Sequence, residues 1–300
     1  MKRLGIFVFY DKEGFVDRYV VYLLSRLKAF FDKLMIICNG KLAEPAKLEQ
    51  FTKYIYIRPN KGFDAAAWQY AFLDILSQDE ISTFDEVILF NDTFYGPIYQ
   101  TLDVFEVMDQ RECDFWGLTS HAESIDPMGT CPYGYWPEHI QTYFVGIRKK
   151  LFCSGDFYDY WKNLPICGTF EEVVGIHETR FTKHFQDLGY TWEVYLDMRK
   201  IDQREQVKAT HYVIEQYQLL AEYRFPFYKR KNLMIPKSHY LEYHDASYVR
   251  KSMEYIEKET DYDIGFIIEN ILRLYNIIDL KNILNLSYVL SKEYAASEYD

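Results

Sequence analysis

The sequence has 300 residues, 49% of them hydrophobic and 26% charged, with a formal net charge of -11. That is enough for one large α/β domain, or one such domain with a helical appendage. The acidic balance argues against a nucleic-acid binder that relies on broad phosphate neutralisation.

Leu4 to Tyr10 is a nearly continuous apolar run, as expected of a buried parallel strand. Val20, Leu23, Leu24, Leu27 and Phe31 then recur at helical spacing, and Lys33 to Cys38 reads as a second strand closed by Asn39-Gly40. A third strand is predicted over Tyr54 to Ile57, a helix over Ala65 to Leu76, and a fourth strand over Asp85 to Phe90. Strands alternating with helices in this way argue for a parallel or mixed sheet. Further along, the pattern predicts strands over Phe115 to Thr119, Thr142 to Ile147 and Thr191 to Leu196, and helices over Leu151 to Leu164 and Thr179 to Leu188. Asp126 to Pro137 reads as a loop rich in Gly, Pro and aromatic residues. From about Val213 the pattern turns helical, and residues 264 to 290 suit packed helices. We therefore expect two domains, 1-212 as the α/β domain and 213-300 as a helical C-terminal region.

Five scattered cysteines, Cys38, Cys113, Cys131, Cys153 and Cys167, form neither a CxxC pair nor a zinc spacing, which fits a reducing cytosol. The opening residues lack a signal-peptide pattern, and no apolar run reaches about 18 residues, so a cytoplasmic protein is expected.

Two turns stand out. The fourth strand runs directly into Asn91-Asp92-Thr93, and in open α/β sheets ligands collect beyond the carboxyl ends of strands. A carboxylate there can hold a divalent cation and the phosphates bound to it, or it can simply begin a turn. The other turn, Arg58-Pro59-Asn60-Lys61-Gly62-Phe63-Asp64, joins a strand to a helix through one Gly and a polar cluster. Exposed amides at such a helix start can bind polar or anionic groups, and Asp64 can serve as a cap or a ligand acceptor.

An N-terminal β-α-β unit, the Arg-x-Asn-x-Gly-x-Asp turn, a strand ending in Asn-Asp-Thr-x-x-Gly-Pro and then Phe115-Trp116-Gly117 together resemble the rhamnan synthesis protein F family. More distantly they are similar to family 2 glycosyltransferases of the GT-A fold. The resemblance covers roughly residues 1 to 235. It implies a GT-A-like mixed sheet flanked by helices and an enzyme that transfers a sugar from a nucleotide donor. The family expectation is rhamnose, carried by dTDP-rhamnose to a growing cell-surface polysaccharide or lipid-linked glycan. By the same resemblance Phe9, Tyr10, Asp11, Arg58, Asn60, Gly62, Asp64, Asn91 and Asp92 lie near the nucleotide sugar. Asn91-Asp92-Thr93 takes the place of an Asp-x-Asp metal motif, with Asp92 as the ligand of Mg²⁺ or Mn²⁺.

The segment His177 to Phe181 resembles the place where inverting GT-A enzymes keep their base, the carboxylate that removes the acceptor proton. Glu178 is the candidate, with Glu171 and Glu172 as rivals; the alternative is an acidic residue in the first turn of a helix, complementing its dipole. His121, His139, His177, His184 and His211 form no zinc pattern. Ser120, Cys153 and Ser154 show no nucleophilic triad. Tyr133, Tyr135, Trp136 and His139 suit stacking on an acceptor sugar or packing as an aromatic lid. Arg224 to Lys231 is a basic aromatic cluster that fits anionic lipid headgroups in a peripheral contact at the inner face of the plasma membrane, a lipid-diphosphate acceptor, or an exposed basic helix end. Two readings compete with the enzyme: a catalytically inactive GT-A-like domain that binds a glycan or partner, and a nucleotidyltransferase, for which a Gly-rich, Lys-containing triphosphate loop is lacking.

Overall fold

The structure is a computed structural model that describes residues 1–197, 212–233 and 247–275. His211, and the part of the expected 264 to 290 helices beyond residue 275, lie outside the described residues. The chain divides into two compact units. The first takes Met1–Val16, Leu27–Asp92 and Asp103–Glu205, and the second takes Asp17–Arg26, Thr93–Leu102 and Gln206–Asp300.

The first unit is built on a seven-stranded sheet. Its strands are β1 (Arg3–Phe9), β2 (Lys33–Asn39), β3 (Ile55–Arg58), β4 (Glu86–Asn91), β5 (Phe115–Gly117), β6 (Phe144–Arg148) and β7 (Trp192–Val194). Their order is β7-β5-β6-β4-β1-β2-β3. All run parallel except β6, which lies antiparallel between β4 and β5. This is the mixed α/β sheet that the sequence led us to expect, with helices against it.

The apolar runs are continuous because the strands are covered on both faces. Leu4, Ile6 and Val8 of β1 join Met35, Ile37, Val87 and Leu89 in one core with the helices α1 (Phe63–Tyr70), α2 (Gly155–Asn163) and α3 (Thr179–Asp187). The alternate residues point the other way, where Phe7 and Phe90 meet at 4.9 Å between ring centroids and Phe31 packs on Phe90. At the amino-terminal end of β4, Glu86 is fully buried. It accepts hydrogen bonds from Arg3 Nε and Trp116 Nε1, both at 2.7 Å. Phe115-Trp116-Gly117, one of the motifs that carried the family resemblance, is thus a packing and charge-pairing device at the end of β4 opposite Asn91.

One expected boundary changes meaning. The helix predicted from Thr179 starts earlier, at Phe170, and runs through a π-helical turn over Val174–Glu178 into α3. Thr169 and Glu172 close its start as a capping box. Likewise, the helix predicted over Ala65 to Leu76 begins at Phe63 and ends in a second π turn, Ala71–Ile75.

The second unit is mostly helical. It holds the helix Arg18–Leu27 as far as Arg26, then α4 (Tyr212–Ala221), α5 (Ser247–Glu259) and α6 (Gly265–Leu274), with α4 against α5. Two short strands, Phe94–Tyr95 and Tyr228–Lys229, pair antiparallel within it. The Tyr95 hydroxyl donates to Asn270 at 2.7 Å, and Arg273 holds Asp17 through two bonds at 2.7 and 2.6 Å. The basic aromatic cluster belongs to this packing. Phe225, Phe227 and Tyr228 are core residues, Arg224 lies over the Tyr99 ring, and Arg230 bonds the Tyr19 hydroxyl. Among the described residues no helix is long and apolar enough to cross a membrane.

Candidate active site

The carboxyl ends of β1, β2, β3 and β4 lie side by side in the first unit, and most of the polar residues singled out from the sequence emerge there. Register sets the neighbours: Asn39 pairs with Arg58 across β2 and β3, and Val8 pairs with Asn91 across β1 and β4. A Cβ on Gly40 would stand 3.9 Å from Asn60 Cβ and 4.0 Å from the Tyr10 ring. Tyr10 and Asn60 therefore converge over Gly40, and the Tyr10 side is 47% exposed at this edge.

Asn39 is the residue that sequence reasoning missed. It was visible only as part of an Asn-Gly turn, yet its amide organises the edge. Arg58 donates to Asn39 Oδ1 at 2.6 Å and to the Lys61 carbonyl at 2.8 Å, while Asn39 Nδ2 donates to the Phe63 carbonyl at 3.1 Å. The turn is thereby pinned across β2 and β3. Gly62 sits at its sharpest point with φ of 76°, in the left-handed region, and a Cβ there would stand 2.6 Å from Ala66 Cβ. Ala65, Ala66 and Ala67 are buried, so α1 packs closely on β1 and β2.

Two turns distant in sequence meet through one bond: the Asn91 amide donates to the Asp64 carboxylate at 2.5 Å. Burial raises the Asp64 carboxyl above its usual range against the opposing Asn91 bond, and the charge of Glu178 adds to the rise. Glu178 thus shares an electrostatic environment with Asp64, although more than a hundred residues separate them. Its Oε2 accepts a hydrogen bond from the Thr142 hydroxyl at 3.1 Å. The neighbouring Tyr143 carbonyl accepts the Asn91 backbone N–H at 3.2 Å, which ties β4 to the segment that holds Glu178.

The three acidic rivals separate by environment. Glu172 is occupied by its capping box, accepting the Gly168 amide at 2.6 Å. Glu171 is exposed to solvent. Glu178 sits inside a continuous helix rather than at its free start, so the helix-dipole alternative does not describe it. The π turn matters here because it adds a residue to the helical repeat, re-aiming the side chains after it. Gly175 makes room for the turn: a Cβ there would lie 2.1 Å from the Thr130 hydroxyl.

Not every expected residue opens onto this edge. Phe9 is buried in the sheet core. Asp11 is buried as well, and its Oδ1 accepts the amides of Glu13 and Phe15, both at 3.0 Å, so that oxygen shapes its own loop. Asp92 is buried beside Cys38, whose thiol is pushed up to about 12 by burial and by the Asp92 charge. Among the described residues, no group of three or more His, Cys, Asp or Glu side chains is arranged to hold a metal ion. The donor set at Asp92 therefore fits only a cation that takes most of its ligands from phosphate oxygens and water, as Mg²⁺ commonly does. His177 is buried among Trp68, Trp161, Tyr160 and Phe181, and its Nδ1 shares a 2.8 Å hydrogen bond with the Tyr160 hydroxyl.

The sequence model described as rhamnan synthesis protein F matches residues 34–299. It begins later and extends further than the resemblance drawn from motifs. An uncharacterized protein, y4gN, from Sinorhizobium fredii (strain NBRC 101917 / NGR234) is 23% identical over 189 residues. That stretch is 62% of this chain and 46% of the relative, so the chain spans about half the length of the curated protein it matches. Among solved structures, the mannosyltransferase Ktr4p from S. cerevisiae in complex with GDP is 10% identical, with a TM-score of 0.37 over 62% of this chain and 66% of its own. Core-mannan synthase A from Aspergillus fumigatus, in a Mn/GDP form, is 12% identical, with a TM-score of 0.30 over 63% of this chain and 72% of its own. Likeness at that level says nothing of donor, acceptor or mechanism.

Proposed function

The chain belongs to the rhamnan synthesis protein F family, and from that premise we propose that it is an inverting glycosyltransferase. Its reaction moves a sugar, rhamnose from dTDP-rhamnose, onto a growing cell-surface polysaccharide or lipid-linked glycan. One observation carries this reading: the Asn60 to Asp64 turn and the Asn91-Asp92 turn are joined by the Asn91–Asp64 bond, and the Glu178 charge is felt at Asp64.

The donor chemistry belongs to residues 1-212. Tyr10 offers a ring for the base, while Arg58, Asn60 and Asp64 offer polar groups to the nucleotide and its sugar. Asp92 would hold a Mg²⁺ or Mn²⁺ ion, which when bound would supply charge stabilisation to the departing phosphate. Glu178 takes the proton of the acceptor hydroxyl as that oxygen bonds to the anomeric carbon, and the bond from that carbon to the diphosphate breaks with its electron pair on the phosphate oxygen. One displacement of this kind inverts the anomeric centre. Thr142 holds Oε2 and so orients the carboxylate. On this reading the protein works in the cytoplasm at the inner face of the plasma membrane.

The test is a panel of nucleotide sugars, assayed with and without chelator for released nucleoside diphosphate. We expect release from dTDP-rhamnose, loss of metal-supported donor binding in Asp92→Ala, and donor binding without transfer in Glu178→Gln. Wild-type rates in both variants, or no release from any donor, overturn the proposal. The single carboxylate at Asp92 favours a second reading, an inactive domain that binds a glycan or a partner. Calorimetric donor binding without turnover in the wild type supports that reading instead.

A further inference from the structure

Residues 118–142 leave the sheet between β5 and β6. Because β5 runs parallel to β4, and β6 returns antiparallel, this excursion stands at the same edge as Asn91. It is not a plain loop, as the sequence suggested for its middle. Ser120–His121 pairs with His139–Ile140, and Ser124–Ile125 pairs with Tyr135–Trp136, both antiparallel. Its tip is closed by Asp126, whose carboxylate accepts the amides of Met128, Gly129 and Cys131 at 3.0, 2.9 and 2.8 Å.

The hairpin is braced along the helix that carries Glu178. Thr130 donates to the Glu171 carbonyl at 3.0 Å, Ile140 N–H donates to Thr182 at 2.9 Å, and Thr142 donates to Glu178 at 3.1 Å. Its two faces differ, because neighbours on a strand point to opposite sides. On one side Tyr133 meets Tyr135 and lies under the Lys183 ammonium at 5.2 Å. The other side carries a compact ring group. His121 stacks on His139 at 5.3 Å with an interplanar angle of 18°, and the Trp136 ring meets His121 edge-on at 5.7 Å. His139 is buried, anchored by its Nδ1 to the Pro137 carbonyl at 2.6 Å, while His121 and Trp136 remain half-exposed. A packed lid would bury both rings. Here the lower imidazole is locked, and the two upper rings stay partly exposed, with the Trp136 Nε1 edge turned inward.

We propose that the His121–Trp136 face is the acceptor subsite, which takes a pyranose ring of the glycan acceptor by stacking against its apolar C–H face. Flat, rigid aromatic surface suits that face of a sugar. The bracing through Thr142 keeps this surface in register with Glu178, which must reach one acceptor hydroxyl. The inference rests on the glycosyltransferase reading for its choice of ligand, but its test needs no turnover.

The experiment is saturation-transfer NMR on the full chain with thymidine diphosphate and the methyl glycoside of an α-linked rhamnose trisaccharide. Wild type should saturate the sugar C–H protons. Trp136→Ala and His121→Ala should weaken the trisaccharide roughly tenfold, and Trp136→Phe should restore most of the effect. Ile125→Ala, which pairs with Tyr135 on the opposite face, should leave binding unchanged, and a wild-type thermal midpoint identifies folded variants. Wild-type saturation in Trp136→Ala, or none in the wild type, overturns the subsite. If the trisaccharide binds through Trp136 while no nucleotide sugar is turned over, the glycosyltransferase reading fails and the subsite stands.

Discussion

The side-chain amide of Asn91 reaches across the end of the sheet and donates to Asp64 at 2.5 Å. This bond gives Asn91 a reason to be an amide. A carboxylate at that position would face Asp64 with like charge, beside Glu178, and an apolar residue would leave a partly buried carboxyl without its donor.

If the proposed donor site is right, replacing Asn91 by Leu should weaken nucleotide binding roughly tenfold, because Asp64 loses the amide that fixes its carboxylate. Calorimetry with thymidine diphosphate measures this directly. Unchanged affinity would remove Asp64 and Asn91 from the donor site.

Glu172 and Glu178 should behave in opposite ways. Glu172→Ala removes half of a capping box, and it should cost about 1 kcal/mol of stability while leaving the rate near that of the wild type. Glu178→Gln should keep the thermal midpoint and lose transfer by at least about a hundredfold, the usual scale of general-base catalysis. If the two variants show the reverse pattern, the assignment of the base is wrong.

His177 gives stability an acid-side slope. Burial lowers the imidazole from 6.5 to about 4, with Glu178 opposing and Arg180 assisting. The unfolded chain takes up the proton from about pH 6.5 downward, whereas the folded chain resists until about pH 4. Stability is therefore full above the unfolded value, falls as pH drops through this window, and levels below it, by about 3 kcal/mol at most. Urea unfolding at pH 7 and pH 4.5 should show a smaller pH effect in His177→Phe than in the wild type. Equal slopes would show that the ring is not held neutral.

Trp116→Phe should destabilise the first unit by about 2 kcal/mol, since the fully buried Glu86 carboxylate loses one of its donors. Denaturant unfolding checks this. A loss below about 0.5 kcal/mol would mean that Arg3 and Arg148 satisfy Glu86 without Trp116.

Much of the first unit was legible residue by residue. Leu4 to Tyr10 and Lys33 to Cys38 announce buried strands because a strand covered on both faces must be apolar throughout. The capping box at Thr169 and Glu172 was also present in the sequence, and reading it would have placed Glu178 inside a helix. The direction of β6 was not legible, since an apolar run looks the same whichever way the strand travels. Nor was the division into units, in which Asp17–Arg26 and Thr93–Leu102 group with the C-terminal residues.

By itself, then, the sequence determined the alternation of strands and helices, the family, and the two polar turns at strand ends, because local periodicity and turn chemistry are written in neighbouring residues. Only the tertiary structure decided that Asn91 bonds Asp64, that Asn39 pins Arg58, that Trp116 serves Glu86, and that Glu178 rather than Glu172 is felt at Asp64. The first three depend on strand register, and the last on a π turn that re-aims a helix. Such relations join residues far apart in the chain, and no local pattern encodes them.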